Sequence, residues 1–209
     1  MVYNKLINFA LSRNFLTHNS IRVESAFSEE EVDLIVASLR DGEKEQGQIG
    51  TIEAEAETLL KFRSSRVSFI NYSKEYSWLF NKFNKIIQNV NEEYYNFDLN
   101  GYDFVQYSEY LANEKGHYDY HIDLMMDMIP QKDYDFLYRK LSFSLCLNQQ
   151  GADYSGGDFK IKTGAEEVSM KLNKGDMLVF PSFILHKVEP VTEGVRKSLV
   201  GWVTGPKFK

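Results

Sequence analysis

The sequence predicts an α+β protein whose second half is a sandwich or jelly roll of short strands, preceded by a helical layer. Between residues 28 and 90, apolar residues recur at helical spacing in two blocks. From about residue 100 the pattern changes to short alternating runs separated by turn residues. The length of 209 residues, 43% of them hydrophobic, suits one domain with a sizeable core. The expected organisation is therefore a single domain over 1–209, with 1–100 as mainly helical support and 101–209 as the jelly-roll core.

The first helix begins at Ser28-Glu29-Glu30-Glu31, where Ser28 caps, Glu31 holds the capping-box position and acidic side chains suit the positive helix end. Val32, Ile35, Val36 and Leu39 give it an apolar face, and Asp41-Gly42 ends it. Residues 43–58 are polar, lack periodicity and read as a surface loop. A second helix starts near Tyr76, with Trp78, Leu79, Phe83, Ile86, Ile87 and Val90 on one face. The expected strands are Tyr102–Tyr110, Tyr118–Asp123, Lys140–Asn148, Asp158–Lys162, Glu167–Leu172, Asp176–Phe180, His186–Pro190 and Lys197–Val203. Turn signals separate them at 113–116, 151–157, 173–175 and 192–194. The interruption at 124–139 reads as a loop or lid.

Composition narrows the function. A formal net charge of −6, with no long basic run, argues against a phosphate-tracking surface, so no nucleic acid is expected as partner. One cysteine, Cys146, allows no intrachain disulfide. The apolar start is broken by Lys5 and Asn8, and no run approaches the ~18–20 residues of a membrane span. The expectation is a soluble, cytoplasmic protein without membrane contact.

The histidines carry the chemical signal. His121-Ile122-Asp123 falls in an expected strand, where alternation puts His121 and Asp123 on one face and sends Ile122 into apolar packing on the other. His186 opens a later strand. Two histidines and one carboxylate leave adjacent metal positions open, the facial arrangement of non-haem iron(II) oxygenases. A lone His-x-Asp is weak evidence, because an exposed pair on a strand edge is the default. Downstream residues change the weighting. Arg196 follows His186 across Thr192-Glu193-Gly194, and a hairpin there would bring it beside the His186 strand. Ser198 shares its face. A guanidinium with a neighbouring hydroxyl is a sensible receptor for the distal carboxylate of a 2-oxo diacid.

These features sit within a longer series of blocks: Val105-Gln106-Tyr107, the 116–123 run ending in His121-Ile122-Asp123, the 141–148 run, Tyr154-Ser155-Gly156-Gly157-Asp158-Phe159, the 175–182 run, and Arg196-Lys197-Ser198-Leu199-Val200-Gly201-Trp202. In order and spacing they resemble the prolyl 4-hydroxylase-like branch of the iron(II)- and 2-oxoglutarate-dependent oxygenases, over roughly the last half of the chain. The resemblance implies a double-stranded β-helix, a jelly roll with N-terminal helices packed on one sheet. It implies Fe(II) held by His121, Asp123 and His186, 2-oxoglutarate as co-substrate on Arg196 and Ser198, and ascorbate as a candidate additional cofactor. By the same resemblance Tyr107 donates a hydrogen bond to the co-substrate carboxylate, and Trp202 walls the pocket near the metal as a catalytic-site residue. Core packing is the competing role for both aromatics.

One position departs from the family pattern. Where relatives offer an aromatic hydroxyl to the co-substrate, this chain has Cys146, with Ser142 and Ser144 on the same face. The carboxylate at Asp123 argues for hydroxylation, since related halogenases lack it. His117 and His18 are expected to be structural or exposed. The implied reaction hydroxylates a C–H bond with dioxygen and releases succinate and CO2, with a prolyl residue of a peptide or protein as first candidate. A small-molecule substrate, or a non-catalytic jelly-roll binding module, stays open as an alternative. Residues 43–65 and 124–139 are the candidate substrate-gripping loops.

Overall fold

A computed structural model describes residues 18–39, 42–48, 56–124 and 138–208. In chain order the elements are β1 (Ile21–Val23), α1 (Glu29–Leu39), β2 (Glu45–Gln46), α2 (Ala56–Phe62), β3 (Arg63–Ser64), β4 (Arg66–Ile70) and α3 (Ser77–Val90). A π-helical turn at Asn91–Tyr95 closes this first part. Then follow β5 (Gly101–Leu111), β6 (His117–His121), β7 (Tyr138–Cys146), β8 (Tyr154–Gly156), β9 (Phe159–Thr163), β10 (Glu166–Met170), β11 (Met177–Pro181), β12 (Leu185–Val188) and β13 (Val191–Gly205).

The strands form two sheets. The larger runs β1-β11-β7-β13-β5-β4-β2, and the smaller runs β10-β9-β12-β6-β3. Neighbours pair antiparallel throughout both. Strands alternating between two facing sheets, with helices on one outer face, make the jelly roll that the sequence predicts.

The helices form where local chemistry favours them. The α1 capping box is realised: the Ser28 N–H donates to Glu31 Oε2 at 2.8 Å and the Glu31 N–H to Ser28 Oγ at 3.3 Å. Its buried Val32, Ile35 and Leu39 join Leu79, Phe80, Phe83, Ile87 and Val90 of α3 in one core cluster. That cluster continues into Val105, Leu141, Phe143, Leu145, Val179 and Leu199, so both helices pack on the outer face of the larger sheet. Phe83 is the hub; its ring lies 4.7 Å from that of Phe143 and 5.4 Å from that of Phe27. Truncation by Phe83→Ala is expected to cost about 3–5 kcal/mol through lost burial and a residual cavity. Urea unfolding reads this as a lower midpoint with an unchanged slope.

Several expectations need correction. The first hundred residues are more than helical support, because β1 extends the larger sheet beside β11, and β4 extends it beside β5. Within 43–58, expected to be loop, β2 and the start of α2 appear. Strands of two or three residues are too short to show alternation. Ile122 is 41% exposed instead of packed, since β6 ends at His121. Thr192–Gly194 is no hairpin turn. It belongs to the long β13, whose first residues pair with β8 and whose remainder crosses to the larger sheet between β5 and β7. The expected lid at 124–139 lies largely outside the described residues, and so do residues 49–55 of the other candidate loop. Among the described residues, no helix is long and apolar enough to cross a membrane.

Candidate metal centre and co-substrate pocket

Three elements bring the triad together. β6 and β12 are neighbours in the smaller sheet, and their register sets His121 directly opposite His186. Asp123 lies just past the end of β6, where its N–H donates to the Ser182 carbonyl at 2.8 Å. This bond turns the carboxylate back toward the imidazoles. Asp123 Oδ1 is 3.7 Å from His121 Nε2, and Oδ2 is 3.5 Å from His186 Nε2. One ligand atom from each residue lies within 4.8 Å of the others.

Backbone carbonyls fix which imidazole nitrogen is free. His121 Nδ1 sits 2.7 Å from the Asp119 carbonyl oxygen and His186 Nδ1 2.8 Å from that of Ile184. A carbonyl only accepts, so Nδ1 carries the hydrogen in both rings and Nε2 offers its lone pair. Aromatic neighbours hold the rings in place: Tyr118 stacks on His121 at 3.5 Å, and Phe159 and Phe180 flank His186 at 5.4 and 4.8 Å. Burial, followed by the neighbouring His186, pushes the His121 pKa down to about 3, so this imidazole is neutral. For Asp123, burial opposes ionisation, but the two imidazoles, the Ser142 hydroxyl and Arg139 outweigh it and the pKa is lowered. Two imidazoles and one carboxylate converging on a point are the donor set that suits iron(II) with open positions.

The co-substrate wall comes from the opposite sheet. Arg196 on β13 is 3% exposed and lines the cavity that also holds the triad. Its Nη1 donates to Ser198 Oγ at 3.2 Å, and its Cζ lies 5.4 Å from the centre of the Tyr110 ring. The Tyr154 hydroxyl also contacts it, and burial pushes that phenol up to about 12, which keeps it protonated. Gly157, at φ +65°, lets the chain cross this arginine; a Cβ there would fall 3.0 Å from Arg196 Cδ. Among the described residues no carboxylate pairs with Arg196. A buried guanidinium without a counter-charge is strongly unfavourable, which marks the place where an anion belongs.

Register decides which other side chains face this cavity. Residues opposite each other on paired strands share a face. In β5, Ser108 sits opposite Ser198 and Tyr110 opposite Arg196, whereas Tyr107 sits opposite Leu199. Tyr107 therefore points into the helix-side core, fully buried, and its hydroxyl donates to Glu109 Oε1 at 2.8 Å. It is not placed to bind the co-substrate. Tyr110 and Gln106 line the cavity in its stead, together with Ser144, whose buried Oγ has no hydrogen-bond partner. Tyr110 and Tyr154 were legible as aromatics but not as site residues, because their face follows from strand pairing. Trp202 does reach the cavity wall, with Arg139 Cζ 4.1 Å above its ring. Cys146 is buried between the sheets with its thiol donating to the Asn148 carbonyl at 3.2 Å. Burial raises its pKa, the signature of an inert thiol. Both nitrogens of His117 face backbone carbonyls, of Lys115 and Lys61, so it is structural. His18 packs edge-on against Tyr94.

Ser142 supports the triad from behind. It faces Ser182 at 3.0 Å between Oγ atoms and also hydrogen-bonds Asp123. Ser142→Ala is expected to weaken metal binding about 10–100-fold, the usual cost of losing an outer-shell partner. Anaerobic titration with cobalt(II) measures it.

The jelly roll thus gathers two histidines and a carboxylate beside a buried arginine that has no carboxylate partner among the described residues. Residues 105–204 match the 2OG-Fe(II) oxygenase superfamily, over just under half of the chain. Iron(II) and 2-oxoglutarate are the cofactor and co-substrate of that superfamily. The chain is 36% identical over 91 residues to a PKHD-type hydroxylase of Alteromonas mediterranea, a match covering 44% of this chain and 39% of that protein. The fold is similar to a Pseudomonas putida prolyl-4-hydroxylase, with a TM-score of 0.69 and 17% identity over 93% of this chain and 97% of the other. It is also similar to a Trichoplax adhaerens prolyl hydroxylase solved with a hypoxia inducible factor peptide fragment, with a TM-score of 0.69 and 19% identity over 90% and 84% of the two chains.

Proposed function

We propose that this chain is an Fe(II)- and 2-oxoglutarate-dependent dioxygenase that hydroxylates a C–H bond, with a prolyl residue of a peptide or protein as the first substrate to test. The observation that carries this reading is the convergence of His121, Asp123 and His186 in one cavity with the unpaired Arg196. In it, His121, Asp123 and His186 hold iron(II), and Arg196 receives the distal carboxylate of 2-oxoglutarate. Iron supplies the oxidising chemistry when bound. The protein's own groups orient and exclude: Ser198 and Tyr154 offer hydroxyls around the guanidinium, Ser144 offers one elsewhere on the cavity wall, and Phe159, Phe180 and Tyr118 keep water from the ligands. Trp202, with Arg139 on its face, borders the substrate side. Ascorbate as an accessory reductant and a cytoplasmic setting belong to the same reading, the latter supported by the single buried free thiol.

Incubation with iron(II), 2-oxoglutarate and dioxygen is expected to yield succinate slowly, faster with proline-containing peptides and with ascorbate. Mass spectrometry is expected to find one added oxygen on the peptide. A protein that binds iron(II) yet never consumes 2-oxoglutarate, with or without peptide, sinks the proposal.

A further inference from the structure

A second buried arginine reaches the same cavity, and the reading above gives it no role. Arg63 on β3 is 7% exposed and lines the cavity alongside His121, Asp123 and Arg196. It is fixed from several sides. Its Nε donates to Ser65 Oγ at 2.8 Å, its Nη1 donates to the Gln48 carbonyl at 2.7 Å, and its Cζ lies 4.5 Å from the centre of the Tyr118 ring. Gly47 allows the backbone to press against it, since a Cβ there would come within 2.5 Å of Nε. Every one of these partners is neutral. Among the described residues no carboxylate pairs with Arg63, and neither of its hydrogen bonds uses Nη2.

Charge balance sharpens the point. The third arginine near the cavity, Arg139, is already neutralised by Asp103, with Nε and Nη2 each 2.8 Å from Oδ2. In the loaded site proposed above, the iron dication, the Asp123 carboxylate, the 2-oxoglutarate dianion and Arg196 cancel one another. Among the charges of the described residues Arg63 is left over, positive and desolvated, in a rigid setting that keeps it from swinging out to water. A preorganised guanidinium with a free edge is a carboxylate receptor.

We propose that Arg63 binds a carboxylate of the primary substrate, so that the site selects a molecule with an anionic group beside the carbon offered for oxidation. This rests on the hydroxylase reading. The carboxylate has two sources, an acidic side chain flanking the target residue of a peptide or the α-carboxylate of a free amino acid, and the test separates them.

The probes are matched pairs: capped proline-centred peptides differing only in Asp against Asn beside the proline, and free L-proline against L-prolinamide. Binding is measured without dioxygen on the protein loaded with manganese(II) and 2-oxoglutarate; turnover is measured with iron(II). The acidic member of one pair is expected to bind at least about tenfold more tightly, as befits a charge-assisted hydrogen-bonded pair. Arg63→Gln is expected to abolish that preference through KM for the substrate, and Arg63→Lys to restore part of it. Equal affinity within both pairs, including no detectable binding of either member, overturns the inference. So does an Arg63→Gln defect confined to KM for 2-oxoglutarate. The wild-type pairs decide the matter even if the variants do not fold. A protein that prefers the acidic probe yet never consumes 2-oxoglutarate refutes the hydroxylase reading and leaves the anion receptor standing.

Discussion

Replacing Asp123 with alanine is expected to abolish 2-oxoglutarate turnover, with a loss of about a thousandfold or more, equivalent to ~4 kcal/mol of metal-dependent stabilisation. The argument is electrostatic as well as geometric. Asp123 is the one anionic group among the three ligands, and it bridges the gap between the two imidazoles at 3.5 and 3.7 Å. Without it, two imidazole nitrogens face a dication in a buried site, and the ligand set offers no negative charge to offset it. The Ser142 hydroxyl loses its acceptor as well. The apoprotein, by contrast, is expected to stay folded, because Asp123 lies past the end of β6 and belongs to neither core cluster. Circular dichroism and urea unfolding establish that the variant is folded. Anaerobic iron(II) titration and succinate assay then read the site itself. Wild-type turnover in a folded Asp123→Ala protein would show that these residues are not the ligand set.

The parts of this site that were legible in the sequence are those that depend on local order. His121 and Asp123 are two residues apart, so any extended backbone brings them to one side, even though β6 ends between them. The two helices were visible because caps and apolar spacing are local signals. The parts that were not legible depend on pairing. Tyr107 and Tyr110 are both tyrosines on β5, and only the register of β5 against β13 decides that Tyr110 faces Arg196 and Tyr107 faces the helices. A Gly between two apolar runs suggested a hairpin around residues 192–194, yet the chain stays extended and changes sheets. Local sequence does not distinguish a turn from a strand that crosses between sheets. Arg63 was hidden for a related reason. It sits on a two-residue strand, and its place in the cavity comes from pairing with Tyr118.

Arg196→Met is expected to split function from stability. The long apolar side chain fills most of the same volume but carries no charge. Its first effect falls on the co-substrate. A hydrogen bond to a charged group contributes about 1.5–3 kcal/mol, so losing the guanidinium is expected to raise KM for 2-oxoglutarate about a hundredfold. The effect on an iron(II) titration performed without 2-oxoglutarate is expected to be small, since Arg196 lies on the opposite sheet from the two histidines. The second effect has the opposite sign. In the unliganded protein Arg196 is 3% exposed, and Ser198, Tyr110 and Tyr154 are its neighbours, none of them a carboxylate. Replacing a buried charge by a packed apolar side chain is commonly neutral or stabilising by ~1–4 kcal/mol, so the unfolding midpoint of Arg196→Met is expected to equal or exceed that of the wild type. Saturating 2-oxoglutarate is expected to stabilise only the wild type, by mass action on the folded state. Both measurements are needed, since a variant that loses affinity and stability together would be merely misfolded. A variant that keeps wild-type affinity for 2-oxoglutarate would remove Arg196 from the site altogether. Loss of affinity with stability retained or raised is the pattern of an arginine held, at a cost to the empty protein, for an anion that completes it.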